Sequence, residues 1–337
     1  VFCMDLPPGD EHSFAAIEAS GRENPTRVVE LDPEEICGLI YTSGTTGKPK
    51  GVKLSHGNII SNVNAVHSIF PVEREDRSVS FLPWAHSFGQ TVELHTLLSM
   101  GASIAMAESV AKLADNFLEV QPTILISVPR IFNRIYDALQ KKMTEDRGVQ
   151  KRMFEGALAN EGRRRQMASR GRYSAFVEMK HQFYDQMVFQ KIRDRFGGKL
   201  KYAFSGGAAL SPEVCEFIDR LGIEVYEGYG LTETSPICTA NRPGLRKIGS
   251  IGRVLPGVEV VIDKNVIEDE TDEGELVVYG PNVMKGYLKN PKATRESIRD
   301  GWYVTGDVAR IDEEGFVTIT DRLSRFSKIG GEMVPHI

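Results

Sequence analysis

The sequence predicts an α/β protein: a mostly parallel sheet with flanking helices, followed by a small antiparallel β subdomain. Three observations carry this. Short apolar runs alternate with helical stretches from Ile36 to about residue 197, the pattern of a parallel sheet built from crossover units. A Gly/Thr/Lys loop follows the first of those runs directly. From about Pro236 helical periods vanish, and short strands separated by Gly and Asp turns replace them.

Taken in order, residues 1–35 are polar and proline-punctuated and read as a connecting segment with one short helix around Phe14–Ala19. Residues 36–235 read as the α/β part. Ile36–Thr42 is an apolar strand, and His56–Phe70 a helix. Ser78–Pro83, Ala102–Ala107 and Ile124–Val128 are strand-like; Asp115–Val120 is helical. A long helical stretch occupies 129–197, with breaks expected near Gly148 and between Gly162 and Gly171. Its later part carries a stripe at three- and four-residue spacing: Phe176, Met179, Phe183, Met187, Val188, Ile192 and Phe196. Such a stripe predicts a core-facing helix. From Gln140 to Lys201 there are 16 Lys/Arg and 7 Asp/Glu, a balance of +9. That excess reads as a solvated face, with an anionic membrane surface or nucleotide phosphates as the sharper alternatives. Residues 236–320 read as the small β subdomain, with strands at Val258–Ile262, Glu275–Tyr279, Val308–Ile311 and Phe316–Ile319.

The 337 residues are 41% hydrophobic and 26% charged, which excludes disorder and a disulfide scaffold as overall descriptions. The net charge of −5 argues against nucleic acid as a partner. Cys3, Cys37, Cys215 and Cys238 are scattered, so neither a zinc knuckle nor a redox pair is expected, and a reducing, cytoplasmic compartment fits. The first residues do not read as a signal peptide, and both ends of the chain read as cut.

The most informative segment is Tyr41-Thr-Ser-Gly-Thr-Thr-Gly-Lys-Pro-Lys-Gly51. Glycines let backbone N–H groups approach an anion, hydroxyls add donors, and Lys48 and Lys50 add charge. This is polyphosphate chemistry, but it is not a Walker loop. The interval from Gly44 to Gly47 is too short, and Pro49 stands where Ser or Thr belongs.

This segment resembles the signature loop of the adenylate-forming superfamily, which includes acyl-CoA synthetases, luciferases and peptide-synthetase adenylation domains. Four further segments resemble its motifs in the same order: Ser205-Gly-Gly-Ala-Ala209, Glu227-Gly-Tyr-Gly-Leu-Thr-Glu-Thr234, Tyr303-Val-Thr-Gly-Asp307 and Asp321-Arg-Leu-Ser-Arg-Phe-Ser-Lys-Ile-Gly-Gly-Glu332. The resemblance spans about residues 36–337, and by it 321–337 would be a hinge and the stub of a lid domain. It implies the large domain of such an enzyme, with the N-terminal part and the lid domain incomplete, and a reaction in two halves. A carboxylate attacks the α-phosphate of ATP to give an acyl-adenylate and pyrophosphate; a thiol then displaces AMP.

The resemblance also implies roles. Ser43, Gly44, Thr45, Thr46, Gly47 and Lys48 would hold the pyrophosphate end of ATP. Glu233 would ligate Mg²⁺, and Thr232 would touch the α-phosphate. Tyr229 would stack on adenine, with Gly206, Gly207 and Ala208 along its edge and Glu227 and Gly228 in the same motif. Asp307 would accept the ribose hydroxyls, and Arg322 would donate to the ribose. His86, in Leu82-Pro-Trp-Ala-His-Ser-Phe-Gly89, would sit beside the activated carboxylate, with Trp84 and Phe88 gating the acyl site. Lys328 would contact a nucleotide or CoA phosphate.

The long stretch from Ile131 to Lys199 is similar to long-chain fatty acyl-CoA synthetases. The ending Lys328-Ile-Gly-Gly-Glu-Met-Val334 is similar to bacterial acyl–carrier-protein synthetases that work at membrane phospholipid. A long-chain fatty acid, ATP and CoA are therefore the expected substrates, with acyl carrier protein or another carboxylic acid as alternatives. A non-catalytic nucleotide- or acyl-binding relative is a third reading, and peripheral contact at the inner membrane surface is compatible with the basic helices. Two departures stand out. Ser324 replaces the hinge lysine usual in long-chain relatives, and the family's lid-domain lysine would lie beyond Ile337.

Overall fold

A computed structural model describes residues 6–42, 48–145, 148–266 and 271–323, and the backbone of 326–329 and 332–335. Residues 1–35 cluster as one unit and 36–337 as another. In the first, helix α1 (Phe14–Glu23) is capped by the Ser13 side chain, which accepts from the Ala16 N–H, as a serine before a helix commonly does.

The second unit opens with an antiparallel hairpin, β1 (Ile36–Thr42) and β2 (Lys50–Ser55). Helix α2 (His56–Ile69) follows at once because Ser55 and Asn58 form a reciprocal capping box. Strands β3 (Arg77–Ser80), β4 (Ser103–Met106), β5 (Ile124–Ser127), β6 (Tyr202–Ser205), β7 (Val225–Gly230), β8 (Ile237–Ala240) and β9 (Arg253–Val254) make a seven-stranded sheet in the order β4-β3-β5-β6-β7-β8-β9. The pairs from β4 to β7 are parallel; β8 and β9 join antiparallel. The expected mostly parallel sheet is thus present, and it runs past residue 235 to Val254.

Alternation along the central strands feeds two cores. Leu125 packs with Phe117, Phe132, Phe189, Phe217 and Leu221 on one face. Ile124 and Ile126 pack with Val66, Phe70, Leu97 and Tyr226 on the other. The first face is covered by α4 (Leu113–Val120), α5 (Pro129–Glu145), α8 (Gln190–Arg193) and α9 (Pro212–Arg220); the second by α2 and the wide turn Phe88–His95 that continues as α3 (Thr96–Ser99). Both α5 and α9 begin with proline, whose fixed φ suits a first helical turn.

A separate antiparallel sheet contains β10 (Glu259–Asp263), β11 (Gly274–Tyr279), β12 (Ile298–Arg299), β13 (Trp302–Ile311) and β14 (Val317–Arg322). Short helix α10 (Pro291–Ser297) precedes β12, and β15 (Phe326–Ile329) pairs with β16 (Glu332–Pro335). Leu276 and Val278 pack with Val52, Leu54 and Tyr287 in a third core.

The long helical stretch departs from expectation. Helix α6 (Val149–Ser169) is followed by α7 (Ala175–Tyr184), then a wide π turn at Asp185–Phe189 and a tight turn at Asp194–Phe196. Phe176, Met179, Phe183 and Met187 are not core residues; they are 58%, 60%, 52% and 46% exposed. Phe189, Ile192 and Phe196 are buried. The π turn is the reason. Its extra residue rotates everything beyond it by about 100° relative to an unbroken helix, so one stripe in sequence becomes two faces in space.

The same stretch is docked by charge. Glu161, 2% exposed, accepts from Arg165 Nε at 2.7 Å and Arg164 Nε at 2.9 Å, and His181 Nδ1 lies 2.9 Å away. Arg165 also pairs with Asp219 on α9, which Arg246 reaches at 3.0 Å. Burial alone would raise the Glu161 carboxyl; the arginine hydrogen bonds outweigh it and hold it below the ordinary range. Glu161→Ala is therefore expected to cost about 3–5 kcal/mol at neutral pH, measured by urea denaturation. A lowered carboxyl stabilises above its unfolded value and loses that contribution as pH falls through the folded one. The deficit should shrink in acid, and a deficit that ignores pH would refute the assignment.

Candidate active site

The site lies where the parallel strands end and the antiparallel ones begin, as ligands do at the strand ends of open sheets. Strand β6 runs into Ser205-Gly206-Gly207, and the Gly206 N–H donates to Ser127 O at 3.2 Å. A Cβ on Gly206 would stand 2.8 Å from the Phe88 ring, so glycine here lets that ring lie on the loop. The Glu227 carboxylate accepts from the Leu210 N–H at 3.1 Å, and its carbonyl accepts from the Asn241 N–H at 2.8 Å. Buried at 7%, its carboxyl is raised by burial. It ties the Ser205–Leu210 loop to β7.

Tyr229 and Asp307 meet across the two sheets. The tyrosine hydroxyl donates to Asp307 Oδ2 at 2.5 Å, and Arg322 Nε lies 2.9 Å from Oδ1. Burial above all, then the Asp307 charge, lifts the tyrosine hydroxyl well above its usual value. Oδ2 thus has a protein donor and Oδ1 a neighbouring cation, and both oxygens retain lone pairs for further donors.

Glu233 sits in the tight turn Thr232–Thr234, and its Oε1 accepts from the Tyr287 hydroxyl at 2.9 Å. Burial, then the nearby Glu233 charge, pushes that hydroxyl up to about 12. Lys50 Nζ stands 5.0 Å from the Tyr287 ring centre. The segment around Tyr287 is stitched to β2: Lys53 N donates to Gly286 O, Lys285 N to Lys53 O, and Leu288 N to Gly51 O, at 2.7–3.0 Å. Sequence reasoning passed over Tyr287. Its signal was a single tyrosine in the Gly- and Pro-rich run 280–291, which carries no charge pattern of its own.

His86 is exposed, and Ser87 Oγ approaches Thr232 Oγ1 at 3.5 Å. The loop bearing it is anchored beneath by a second residue the sequence did not reveal. Glu93, 0% exposed, accepts from Ser78 Oγ at 2.9 Å and Ser80 Oγ at 2.6 Å, and Trp84 Nε1 donates to that same Ser80 at 3.1 Å. Burial raises its carboxyl. A glutamate between Val92 and Leu94-type neighbours looks amphipathic in sequence; only the fold shows it pointing inward.

One cavity of about 440 Å³ joins these parts. His86, Gly206, Gly207, Gly228, Tyr229 and Thr232 line it on the loop side. Val66, Phe70, Leu97, Ile124, Phe204 and Tyr226 line its apolar interior. Ala208, Glu227, Glu233, Asp307 and Arg322 do not line it, although Asp307 reaches it through Tyr229. Lys48 is exposed beside the β1–β2 hairpin, which closes with Thr42 opposite Lys50. Ser43, Gly44, Thr45, Thr46, Gly47 and Ser324 lie outside the described residues. Lys328 falls in β15, and its side chain also lies outside them.

Among the described residues no group of three His, Cys, Asp or Glu side chains could hold a metal ion. Glu233 alone, with lone pairs to spare, suits a cation that takes one carboxylate, phosphate oxygens and water. No helix among the described residues is long and apolar enough to cross a membrane.

A mixed α/β sheet with a smaller β sheet beside it, meeting at a cleft lined by glycine loops, is the architecture of adenylate-forming enzymes. The chain belongs to the AMP-binding enzyme family, whose model matches residues 2–288. It is 33% identical over 316 residues to the long-chain-fatty-acid–CoA ligase FadD15 of Mycobacterium bovis, covering 93% of this chain and 51% of that protein. It is 36% identical over 335 residues to the peroxisomal long chain acyl-CoA synthetase 7 of Arabidopsis thaliana, covering 96% and 46%. Among solved structures, ATP-bound MatB from Rhodopseudomonas palustris matches with a TM-score of 0.66 at 26% identity, over 92% of this chain and 52% of that one. The chain therefore spans about half the length of the curated relatives it matches.

Proposed function

We propose that this chain forms the nucleotide- and acyl-binding part of a long-chain fatty acid–CoA ligase. In the first half-reaction a fatty carboxylate oxygen bonds to the α-phosphorus of ATP, and the bond to the β-phosphate breaks. In the second, the CoA sulfur bonds to the acyl carbon, and AMP leaves. The observation that carries this reading is the central cavity, polar at the loops and apolar inside. A long acyl chain needs the second, and a reacting carboxylate needs the first. The names of the curated relatives support it.

In this reading Asp307 and Arg322 hold the ribose. Tyr229 faces adenine, flanked by Gly206, Gly207 and Ala208, while Glu227 holds their loop in place. Lys48 and residues 43–47 bind the pyrophosphate end. Thr232 donates to the α-phosphate, and His86 orients the incoming carboxylate. Glu233 holds Mg²⁺, which would neutralise phosphate charge as the bond to pyrophosphate breaks. Tyr287 fixes the Glu233 carboxylate, and Lys328 contacts a phosphate. CoA is the proposed acceptor, and a panel of thiols separates it from carrier protein.

The test is fatty-acid-dependent ATP–pyrophosphate exchange by the full-length protein with acids of graded length. Exchange peaking at long chains is expected; none with any acid would overturn the reading. A second test narrows the cavity. Leu97→Trp should displace about four methylenes, each worth about 0.8 kcal/mol. kcat/KM for a long acid should then fall about 100-fold, while a short acid is spared. Equal loss for both lengths would place the chain elsewhere.

A further inference from the structure

A second cavity lies within the helical stretch, lined by none of the residues that line the first. It measures about 400 Å³, within the range of roughly 300–1,000 Å³ that small-molecule sites occupy. Helices α5 and α6 and the segment following the π turn enclose it. Leu139, Met143, Met153, Phe154, Val188 and Ile192 form its apolar wall. Lys142, Lys151, Lys191 and Arg195 also line it, and among the described residues no Asp or Glu does. Lys151 reaches Glu155 at 3.9 Å. Among the described residues Lys142, Lys191 and Arg195 have no carboxylate partner, and all three are exposed.

An apolar chamber beside four cations, with no acid among the described lining residues, matches a ligand with one apolar chain and one anionic end. We infer that this cavity is a binding site for a long-chain fatty acid, its chain among the methionines and its carboxylate at Lys191 and Arg195. The volume is close to that of the central cavity, which takes an acyl chain beside part of the nucleotide if the proposed function holds; this choice of ligand rests on that reading. A two-chain phospholipid would need about twice the space on the same reckoning. Unbranched thioether side chains adapt their shape to what they enclose, so Met143 and Met153 suit chains of varied length. The cations supply orientation, because a buried chain alone has no preferred direction.

The experiment is photolabelling of the full-length protein with a palmitic acid analogue carrying a diazirine near its methyl end, followed by peptide mapping. Label is expected at two places: the lining of the central cavity, and the peptides bearing Met143, Met153 and Phe154. Lys191→Glu combined with Arg195→Glu should lower label at the second place about tenfold, leaving the first unchanged. Lys180→Glu, on the neighbouring helix but outside the cavity, should change neither. The methyl ester of the same probe should label the second place about tenfold less than the acid. Since both rim side chains are exposed, an unchanged melting temperature checks that the double variant is folded. No label at the second place, label indifferent to charge reversal, or equal label by acid and ester would each overturn the inference. Label at the second place without any in the central cavity would count against the proposed function and leave this site standing.

Discussion

Asp307→Ala in the full-length protein is expected to lower ATP–pyrophosphate exchange by about 10²- to 10⁴-fold. Two hydrogen bonds from ribose hydroxyls to a carboxylate contribute about 1.5–3 kcal/mol each, and every 1.4 kcal/mol is about tenfold. The variant also strands the donors that now converge on Asp307, the Tyr229 hydroxyl at 2.5 Å and Arg322 Nε at 2.9 Å. Nucleotide affinity should fall with the rate, because in the proposed reading the lost contact is to the part of ATP that does not react. Asp307→Asn keeps one acceptor oxygen and should fall between the two. A loss below about tenfold for the alanine variant would remove Asp307 from the nucleotide site.

Gly230→Ala should act on folding instead. A Cβ there would lie 1.8 Å from the Pro236 carbonyl oxygen and 2.9 Å from the Ile237 Cα. The obstacle is backbone, and it is the same carbonyl that accepts from the Leu231 N–H at 3.0 Å. The reversal from β7 into β8 cannot open without releasing that bond and the register shift at Tyr229/Gly230. A destabilisation of about 4 kcal/mol or more is expected, read as a fall in melting temperature of about 10 °C. Gly206→Ala is the control. Its new methyl would meet only the Phe88 ring, a side chain that can turn aside, so stability should change far less. Equal melting of Gly230→Ala and the parent protein would show that this reversal has slack the geometry denies.

Much of this arrangement was legible in the residues. Ile124-Leu-Ile-Ser reads as a buried strand and is one; His56–Phe70 reads as a helix, and α2 runs from His56 to Ile69 with Ser55 as its cap. Local signals sufficed there because the interactions are local. The π turn at Asp185–Phe189 has no such signal, so the phase of the stripe from Phe176 to Phe196 could not be carried across it. Tyr287 and Glu93 were missed for a different reason. Tyr287 acts on Glu233, 54 positions away, and Glu93 acts through Ser78 and Ser80 on a neighbouring strand. A side chain whose role is to hold another leaves its mark only in three dimensions.

The stitching of the Tyr287 segment onto β2 has a consequence for how the protein is made. A two-stranded hairpin is marginally stable alone, and among the described residues the outer edge of β2 is paired by those from Lys285 to Leu288. Those residues leave the ribosome roughly 230 positions after Ser55, a delay of about ten to fifty seconds at ordinary rates of synthesis. Throughout that interval β2 lacks its partner on that edge, which is open to pairing with any extended neighbour. A strand made early is therefore among the last to be completed, and the nascent chain needs shelter at β2 until its closing segment arrives.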